Sequence, residues 1–249
     1  MNNYSLTVIT VVKNDEKNIE KTIKSVIKQK KANIEYIIID GNSKDKTLNI
    51  IKKYRKRIDK IISEEDSGIY YAMNKGIKLS KNDIIVFCNS GDFFYPNSFN
   101  KILDLFNKFN YDFVFGTVLR NYTTSSILKF GFDLKRLKYN FDFATSHTTG
   151  FFLKRKMYKK IGIYNTNFKI SSDYDLYLRL LKNSCKGGHT KKKDLIGYVA
   201  KGGFSSKVSF LNHAIEEFKI RMYNKQGLVF SIIIFLNSLI KNPIKSLKN

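Results

Sequence analysis

Two cysteines in 249 residues, Cys88 and Cys185, are too few and too far apart for a disulfide framework or a paired-cysteine metal site. Reduced thiols in a cytosolic chain are the expectation. Three histidines, His147, His189 and His213, leave histidine-based metal chemistry little material. No G-x-G-x-x-G follows the first strand pattern and no G-x-x-x-x-G-K-[ST] occurs, which disfavours dinucleotide binding and an NTP-hydrolysing loop. A Gly-x-Ser-x-Gly elbow is missing too. No basic leader precedes MNNYSLTVITVV, so a cleavable secretion signal is not expected. The most apolar stretch, 228–240, is interrupted by Ser231, Asn237 and Ser238 and falls short of the ~20 residues of a bilayer span. Acidic residues are scarce as well: 21 Asp and Glu against 45 Lys and Arg leave a net charge of +24. Such a balance calls for an anionic partner, whether nucleic acid, an acidic membrane face or phosphorylated substrates, and the sign alone does not choose. A Lys-, Asn- and Ile-rich chain with two prolines is also what nucleotide bias in a genome produces.

What is present alternates strand and helix. LTVITVV (6–12) is a β-branched run of strand length, and NDEKNIEKTIKSVIKQ follows with Ile19, Ile23, Val26 and Ile27 at helical spacing behind Asn14 or Asp15 as N-cap. IEYIIID (34–40) and a helical pattern through Leu48, Ile51 and Tyr54 repeat the unit. DKIISEED (59–66) predicts a short strand, SGIYYAMNKGIKL a helix with Ile69, Met73 and Ile77 on one side, and DIIVFCN (83–89) another buried strand. Strands this apolar, without alternation, suit a parallel sheet covered on both faces.

A turn and helix over FFYPNSFNKILDLFNKF lead to one further strand, YDFVFGTVLRN (111–121). From about residue 122 the period loosens, as in a loop or acceptor-binding excursion. GFFLKRKMYKKIG then predicts a strand with a helix, SDYDLYLRLLKN a helix, and DLIGYVAKGG (194–203) a late strand. In the tail, Val229, Ile232, Ile233, Leu236 and Ile240 share a helical face and lysines follow at 241, 245 and 248. An interfacial helix on a membrane accounts for that stripe, and so does packing onto the domain or onto a second subunit.

In a parallel α/β sheet, ligands bind beyond the carboxyl ends of the strands. Four of these strands end in polar punctuation: Lys13-Asn14, Asp40-Gly41, Glu65-Asp66 and Asn89-Ser90-Gly91-Asp92. A carboxylate there can accept bonds from ribose hydroxyls or a base N–H, or hold a divalent cation against a diphosphate. Each alone is also explained as a turn residue or helix cap. Four within about ninety residues make a nucleotide site without a phosphate loop the better reading of the joint pattern.

The ordered segments SLTVITVVKND, YIIIDGNSKDKT, EEDSGIYYAMNKGI, DIIVFCNSGD and SSDYDLYLRL resemble the family 2 glycosyltransferases, inverting enzymes of bacterial surface polysaccharide synthesis. The likeness spans roughly residues 5–205. It implies an α/β, GT-A-type, Rossmann-like nucleotide-binding fold, with a mostly parallel central sheet flanked by helices and a C-terminal helical tail. The organisation expected is a domain over 1–205, divided into a nucleotide-sugar half (1–121) and an acceptor and base half (122–205). A helical tail over 206–249 associates with membrane or oligomerises.

By the same resemblance Thr10, Val11, Val12 and Asn14 line the nucleotide pocket, and Asp40 and Asp66 bind the base and ribose. Gly68, Asn74, Lys75, Ser90 and Gly91 lie at the donor. His147 faces the acceptor or the diphosphate, and 201–206 resembles a closing loop. Asp92 would ligate Mg²⁺ or Mn²⁺, alone where the family more often has two carboxylates. Asp173 is the expected base: attack of an acceptor hydroxyl on the anomeric carbon needs a proton acceptor opposite the leaving diphosphate. Asp175, two residues on, points elsewhere on a helix and is spaced to pair with Arg179.

The function expected is transfer of a sugar from a nucleotide-sugar donor, UDP by family habit, to a lipid-linked or glycan acceptor. Its place is the cytosol, peripheral at the inner membrane face, without nucleic acid and with a homo-oligomer as one outcome. The rival readings are a sugar-phosphate nucleotidyltransferase, which no Gly-rich triphosphate loop supports, and a basic nucleic-acid-binding protein, which only the charge supports.

Overall fold

The computed structural model describes residues 3–122, 125–137, 148–203 and 208–241. The two longest strands are neighbours in the main sheet. β1 (Leu6–Val12) is buried at all seven positions and pairs in parallel with β2 (Ile34–Asp40), from Leu6 opposite Ile34 to Val12 opposite Asp40. β3 (Lys60–Ser63) joins β2 in parallel, and β4 (Ile84–Phe87) joins the other side of β1 in parallel. Beyond β4 come β9 (Phe151–Lys154), antiparallel to both its neighbours, then β6 (Phe113–Phe115) and β10 (Gly187–His189). The order of this seven-stranded sheet is β10-β6-β9-β4-β1-β2-β3.

Helices cover both faces, as the unalternating strands require. On one face α1 (Ile19–Ile27), α2 (Thr47–Lys53) and α4 (Ser98–Phe109) bury Ile19, Ile23, Ile51, Ile102 and Phe106 against Val8, Ile38 and Val86. On the other, α3 (Ile69–Leu79), α6 (Arg155–Ile161), α7 (Ser172–Lys182) and α8 (Phe210–Tyr223) bury Met73, Met157, Leu176 and Ile220 against Ile9, Ile39 and Phe87. A short α5 (Leu134–Leu137) lies between them in sequence. The start expected for α1 moves: the helix begins at Ile19 after Asn18, because the Asp15 carbonyl already accepts from the amides of both Asn18 and Ile19.

The single strand expected over 111–121 is two strands in two sheets. β6 ends at Phe115 and β7 (Thr117–Asn121) joins a four-stranded sheet of order β5-β11-β7-β8, with β5 (Phe93–Phe94), β8 (Ser126–Lys129) and β11 (Leu195–Val199). The junction is Gly116, where a Cβ would stand 2.9 Å from Ile196 of β11, so the chain crosses between sheets at the one residue without a side chain. Elsewhere β3 stops at Ser63, short of the expected 66, because the next residues turn toward α3.

α9 (Leu228–Lys241) leans on α8 through Phe235, whose ring lies 5.8 Å from that of Phe218. Among the described residues the stripe read from the sequence stays open: Val229, Ile232, Ile233, Leu236 and Ile240 are 40–76% exposed. Among the described residues no helix is long and apolar enough to cross a membrane.

Candidate active site

Because β4, β1, β2 and β3 are parallel neighbours, their carboxyl ends share one edge. The loops leaving them are bonded to each other there. Gly41 N donates to Val12 O at 2.8 Å, Ser90 N to Val11 O at 3.4 Å, and Glu64 N to Asp40 O at 3.1 Å. Asp40 thus ends β2 while Asp66 and Asp92 follow β3 and β4, and the carboxyl ends of these strands lie on the same side of the sheet.

Several of the expected donor residues serve as braces of this edge. The side chains of Thr10, Val11 and Val12 are buried, Thr10 Oγ1 lying 3.1 Å from the Tyr36 hydroxyl. Asn14 adopts φ 51°, a left-handed conformation asparagine tolerates. Its amide donates to Ser43 Oγ and its Oδ1 accepts from Lys44 N at 2.7 Å, tying the first loop to the second. Asp40 is fully buried and accepts from Ser43 N at 3.1 Å, from Ser43 Oγ and from Ser63 Oγ at 2.7 Å. Asn74 donates to Tyr164 O at 2.8 Å and accepts from Tyr164 N at 3.0 Å, so its amide is taken up in holding the 163–166 segment.

Asp66 differs from these. Its Oδ1 accepts from Lys75 Nζ at 2.8 Å, while Oδ2 is buried with no partner among the described residues. A buried, unpartnered carboxylate oxygen costs free energy unless a donor reaches it. Asp66, Tyr71, Lys75, Lys78 and Asn165 line a groove of about 580 Å³. Gly68, at φ 139°, makes the turn from Asp66 into α3 in a conformation that favours glycine, with open space around it.

At the β4 end, Asp92 is 6% exposed and accepts from Thr149 Oγ1 at 2.6 Å and Ala200 N at 2.9 Å. Burial pushes its carboxyl up to about 6 in spite of those bonds. Its carbonyl accepts from Thr22 Oγ1, which in turn accepts from Gly91 N at 3.0 Å, so the turn is bolted to α1. Ser90 Oγ donates to Asp15 Oδ2 at 2.6 Å, and Asn89 Oδ1 is buried without a partner among the described residues. Among the described residues no three His, Cys, Asp or Glu side chains gather as a metal site. A cation shared between protein and diphosphate needs only one or two carboxylates with water making up the rest, and the hard oxygens of Asp92 and the orphaned Asn89 fit that donor set.

Asp173 lies in the first turn of α7 and is half-buried. The Tyr70 hydroxyl, in the first turn of α3, stands 2.9 Å from Ile170 O and 3.3 Å from Asp173 Oδ1, one proton serving both. Asp173 is thereby brought to the helix start that follows Asp66. Burial pushes its carboxyl up to about 7. Asp175 is fully buried and pairs with Arg179 at 2.8 Å as the i, i+4 spacing predicted, with Asn224 Nδ2 donating to its other oxygen at 2.7 Å. His147 and residues 204–206 of the expected closing loop lie outside the described residues.

The sequence reading missed Glu216. From α8 its carboxylate accepts from three consecutive amides, Lys169 N at 2.9 Å and Ile170 N and Ser171 N at 2.7 Å each, just before Asp173. The signal available was composition: Glu216 and Glu217 are the only acidic residues after Asp194 in a basic tail. Asp15, read only as a cap, was missed at the Asp92 turn in the same way.

The glycosyl transferase family 2 profile matches residues 7–162, well over half of the chain. The chain belongs to that family. It is an α/β protein of the GT-A type and stands among sugar-transferring enzymes. An uncharacterized glycosyltransferase of Rickettsia typhi is 28% identical over 195 residues, covering 74% of this chain, which spans 61% of that relative's length. A PGL/p-HBAD biosynthesis glycosyltransferase of Mycobacterium bovis is 25% identical over 191 residues, covering 74% of this chain and 72% of the relative. Among solved structures, residues 1–349 of S. aureus TarS in complex with UDP-GlcNAc superpose with a TM-score of 0.74 at 16% identity, over 95% of this chain and 73% of that TarS fragment. The mannosyltransferase PcManGT of Pyrobaculum calidifontis, in complex with GDP-Man and Mn²⁺, gives 0.68 at 12% identity, over 99% and 73%. The expected fold therefore holds, down to the mostly parallel sheet flanked on both faces.

Proposed function

We propose that this family 2 chain transfers a sugar from a nucleotide-sugar donor to an acceptor hydroxyl with inversion, and that Asp173 is its base. The observation that carries the reading is the Tyr70 contact, which sets a half-buried carboxylate against the helix that starts at the donor edge. Asp66 Oδ2 is an acceptor awaiting a donor such as a base N–H or ribose hydroxyl, and Lys75 holds the other oxygen in place. Gly68, Ser90 and Gly91 keep the backbone of the two donor loops in shape, while Asn14, Asp40 and Asn74 brace them from beneath.

In the transfer, the acceptor oxygen bonds to the anomeric carbon as its proton passes to Asp173, and the bond to the diphosphate breaks with its electrons leaving on the phosphate. A carboxyl titrating near neutral pH suits that task, because the hydroxyl becomes acidic only as the bond forms. Asp92 and Asn89 would hold Mg²⁺ or Mn²⁺, which when bound neutralises charge on the leaving diphosphate. A UDP-sugar is the donor we favour, since TarS is seen with UDP-GlcNAc, although PcManGT is seen with GDP-Man.

The acceptor in this proposal is a lipid-linked or growing glycan of a cell-surface polysaccharide, of the lipopolysaccharide or capsule kind, met at the anionic inner leaflet. The exposed aliphatic face of α9 and the charge of +24 support a peripheral position there. Family membership favours transfer over the nucleotidyltransferase and nucleic-acid readings. Thermal-shift screening of nucleotide sugars with and without Mn²⁺ tests the proposal. A melting-temperature rise with one donor class, enhanced by Mn²⁺ and lost in Asp66→Asn, is the expected result; no response to any nucleotide sugar would sink it.

A further inference from the structure

A second concavity, of about 860 Å³, lies on the flank of the domain between α1 and the β5–α4 turn. Six of its fifteen lining residues are lysines and one is a glutamate, whereas Lys and Arg together are 45 of 249 in the whole chain. The positive charge is therefore concentrated here beyond the general excess. Lys17, Lys21, Lys24 and Lys28 recur at four, three and four residues, which keeps them on one side of α1 and of the turn leading into it. Lys24 is paired with Glu20 at 3.2 Å. Among the described residues Lys17, Lys21 and Lys28 have no carboxylate within ion-pair distance.

Lys21 is also held in place. Its Nζ sits 4.1 Å from the centre of the Phe93 ring and 5.3 Å from that of Tyr198, and those two rings are stacked 4.6 Å apart. A cation fixed on an aromatic face loses less freedom on meeting an anion than one on a free side chain. The wall that carries Phe93 begins at the residue after Asp92, and α1 is bolted to Asp92 and Gly91 through Thr22. The groove thus starts at the candidate active edge and runs down the flank, with about 10 Å of rise between Lys21 and Lys28.

We propose that this groove binds an acidic glycan, a chain of sugar units bearing carboxylate or phosphate groups, as the acceptor, its reactive end passing over the carboxyl ends of the strands toward Asp173 on the other face. The assignment of that chain as acceptor rests on the glycosyltransferase reading above. The concavity selects a chain rather than a bilayer, whose flat face would meet only the rim. It disfavours single-stranded nucleic acid too, because base recognition needs a free aromatic face. Phe93 is covered by Tyr198 and Lys21, and Phe94 and Phe99 are buried.

The test measures affinities of the full chain for fluorescent oligomers of galacturonate, of glycerol phosphate and of neutral dextran, alongside a thymidine oligonucleotide and vesicles rich in anionic lipid. Two variants are compared with wild type: the groove triple Lys17→Gln, Lys21→Gln, Lys28→Gln, and a control of equal charge on and after α2, Lys52→Gln, Lys53→Gln, Lys56→Gln. At least one acidic oligomer should bind tenfold or more tightly than dextran, and the groove triple should lose tenfold or more of that affinity while the control stays within twofold. Which acidic oligomer responds identifies carboxylate or phosphate as the recognised group. Equal losses in both variants, no loss in either, or a loss confined to the oligonucleotide or the vesicles would overturn the proposal. Donor-induced thermal shifts should be unchanged in the groove triple. A wild-type chain that no nucleotide sugar shifts, yet that holds acidic oligomers through the groove, would overturn the donor reading and leave the groove assignment standing.

Discussion

The Tyr70 hydroxyl reaches across 103 residues of sequence to lie 3.3 Å from Asp173 Oδ1, joining the first turn of α3 to the first turn of α7. Burial raises the Asp173 carboxyl to about 7 and the phenol bond acts against that rise, since it favours the charged form. If Asp173 is the base, kcat/KM rises with pH through an apparent pKa near 7. Tyr70→Phe removes the opposing bond and moves that limb to higher pH. Asp173→Asn lowers kcat by about 10²–10⁴-fold with the donor-induced thermal shift retained. Normal turnover in Asp173→Asn removes the assignment.

The same carboxyl bears on stability. Its folded pKa, about 7, lies above the ordinary 3.8, so the folded chain holds this proton more tightly than the unfolded one. The cost of charging a buried carboxyl is absent below the ordinary value, grows as pH rises between the two, and is fully felt above about 7. Asp173→Asn should therefore raise the melting temperature more at pH 8 than at pH 5. An equal change at both pH values would contradict the raised pKa.

Glu216 holds three amides of the segment that leads into α7. Glu216→Ala leaves those donors to water or to nothing, and a loss of about 2 kcal/mol in urea unfolding is expected. Because the segment precedes Asp173, kcat should fall more than KM changes, and Glu216→Gln, which keeps an acceptor oxygen, should recover part of both. A variant with lowered stability and unchanged kcat would confine Glu216 to folding.

Gly116 carries the chain from one sheet to the other beneath Ile196. Gly116→Ala places a methyl group within 3.0 Å of three Ile196 atoms, and about 1–3 kcal/mol of destabilisation is expected from overpacking. Chemical denaturation checks this, and a loss under 0.5 kcal/mol would show that the junction has room to shift.

The exposed face of α9 makes the opposite prediction. Val229→Glu with Ile233→Glu should change the melting temperature little, because both side chains are exposed among the described residues. Binding to anionic vesicles should fall tenfold or more if this face meets the membrane. Unchanged vesicle binding with an altered sedimentation profile would assign the face to a second copy instead.

Local period and local spacing were enough for much of this molecule. β1 and β2 run where their stretches rich in β-branched residues stand, because a strand buried on both faces has no solvent-facing row to alternate with. The Asp175–Arg179 pair follows from helix geometry within four residues. The gathering of strand-end carboxylates along one edge was legible too, since parallel neighbours must point their carboxyl ends the same way. Tertiary structure alone decided which of those carboxylates is spoken for. Asp40 accepts from Ser43 and from Ser63, 23 residues away, whereas among the described residues Asp66 Oδ2 has no partner. It also decided that Asn74 faces Tyr164, 90 residues on, that Glu216 steadies the approach to Asp173, and that Gly116 divides one apolar run between two sheets. Those outcomes depend on which side chains from distant parts of the chain arrive at one place, and the composition of a segment carries no record of what will be packed against it.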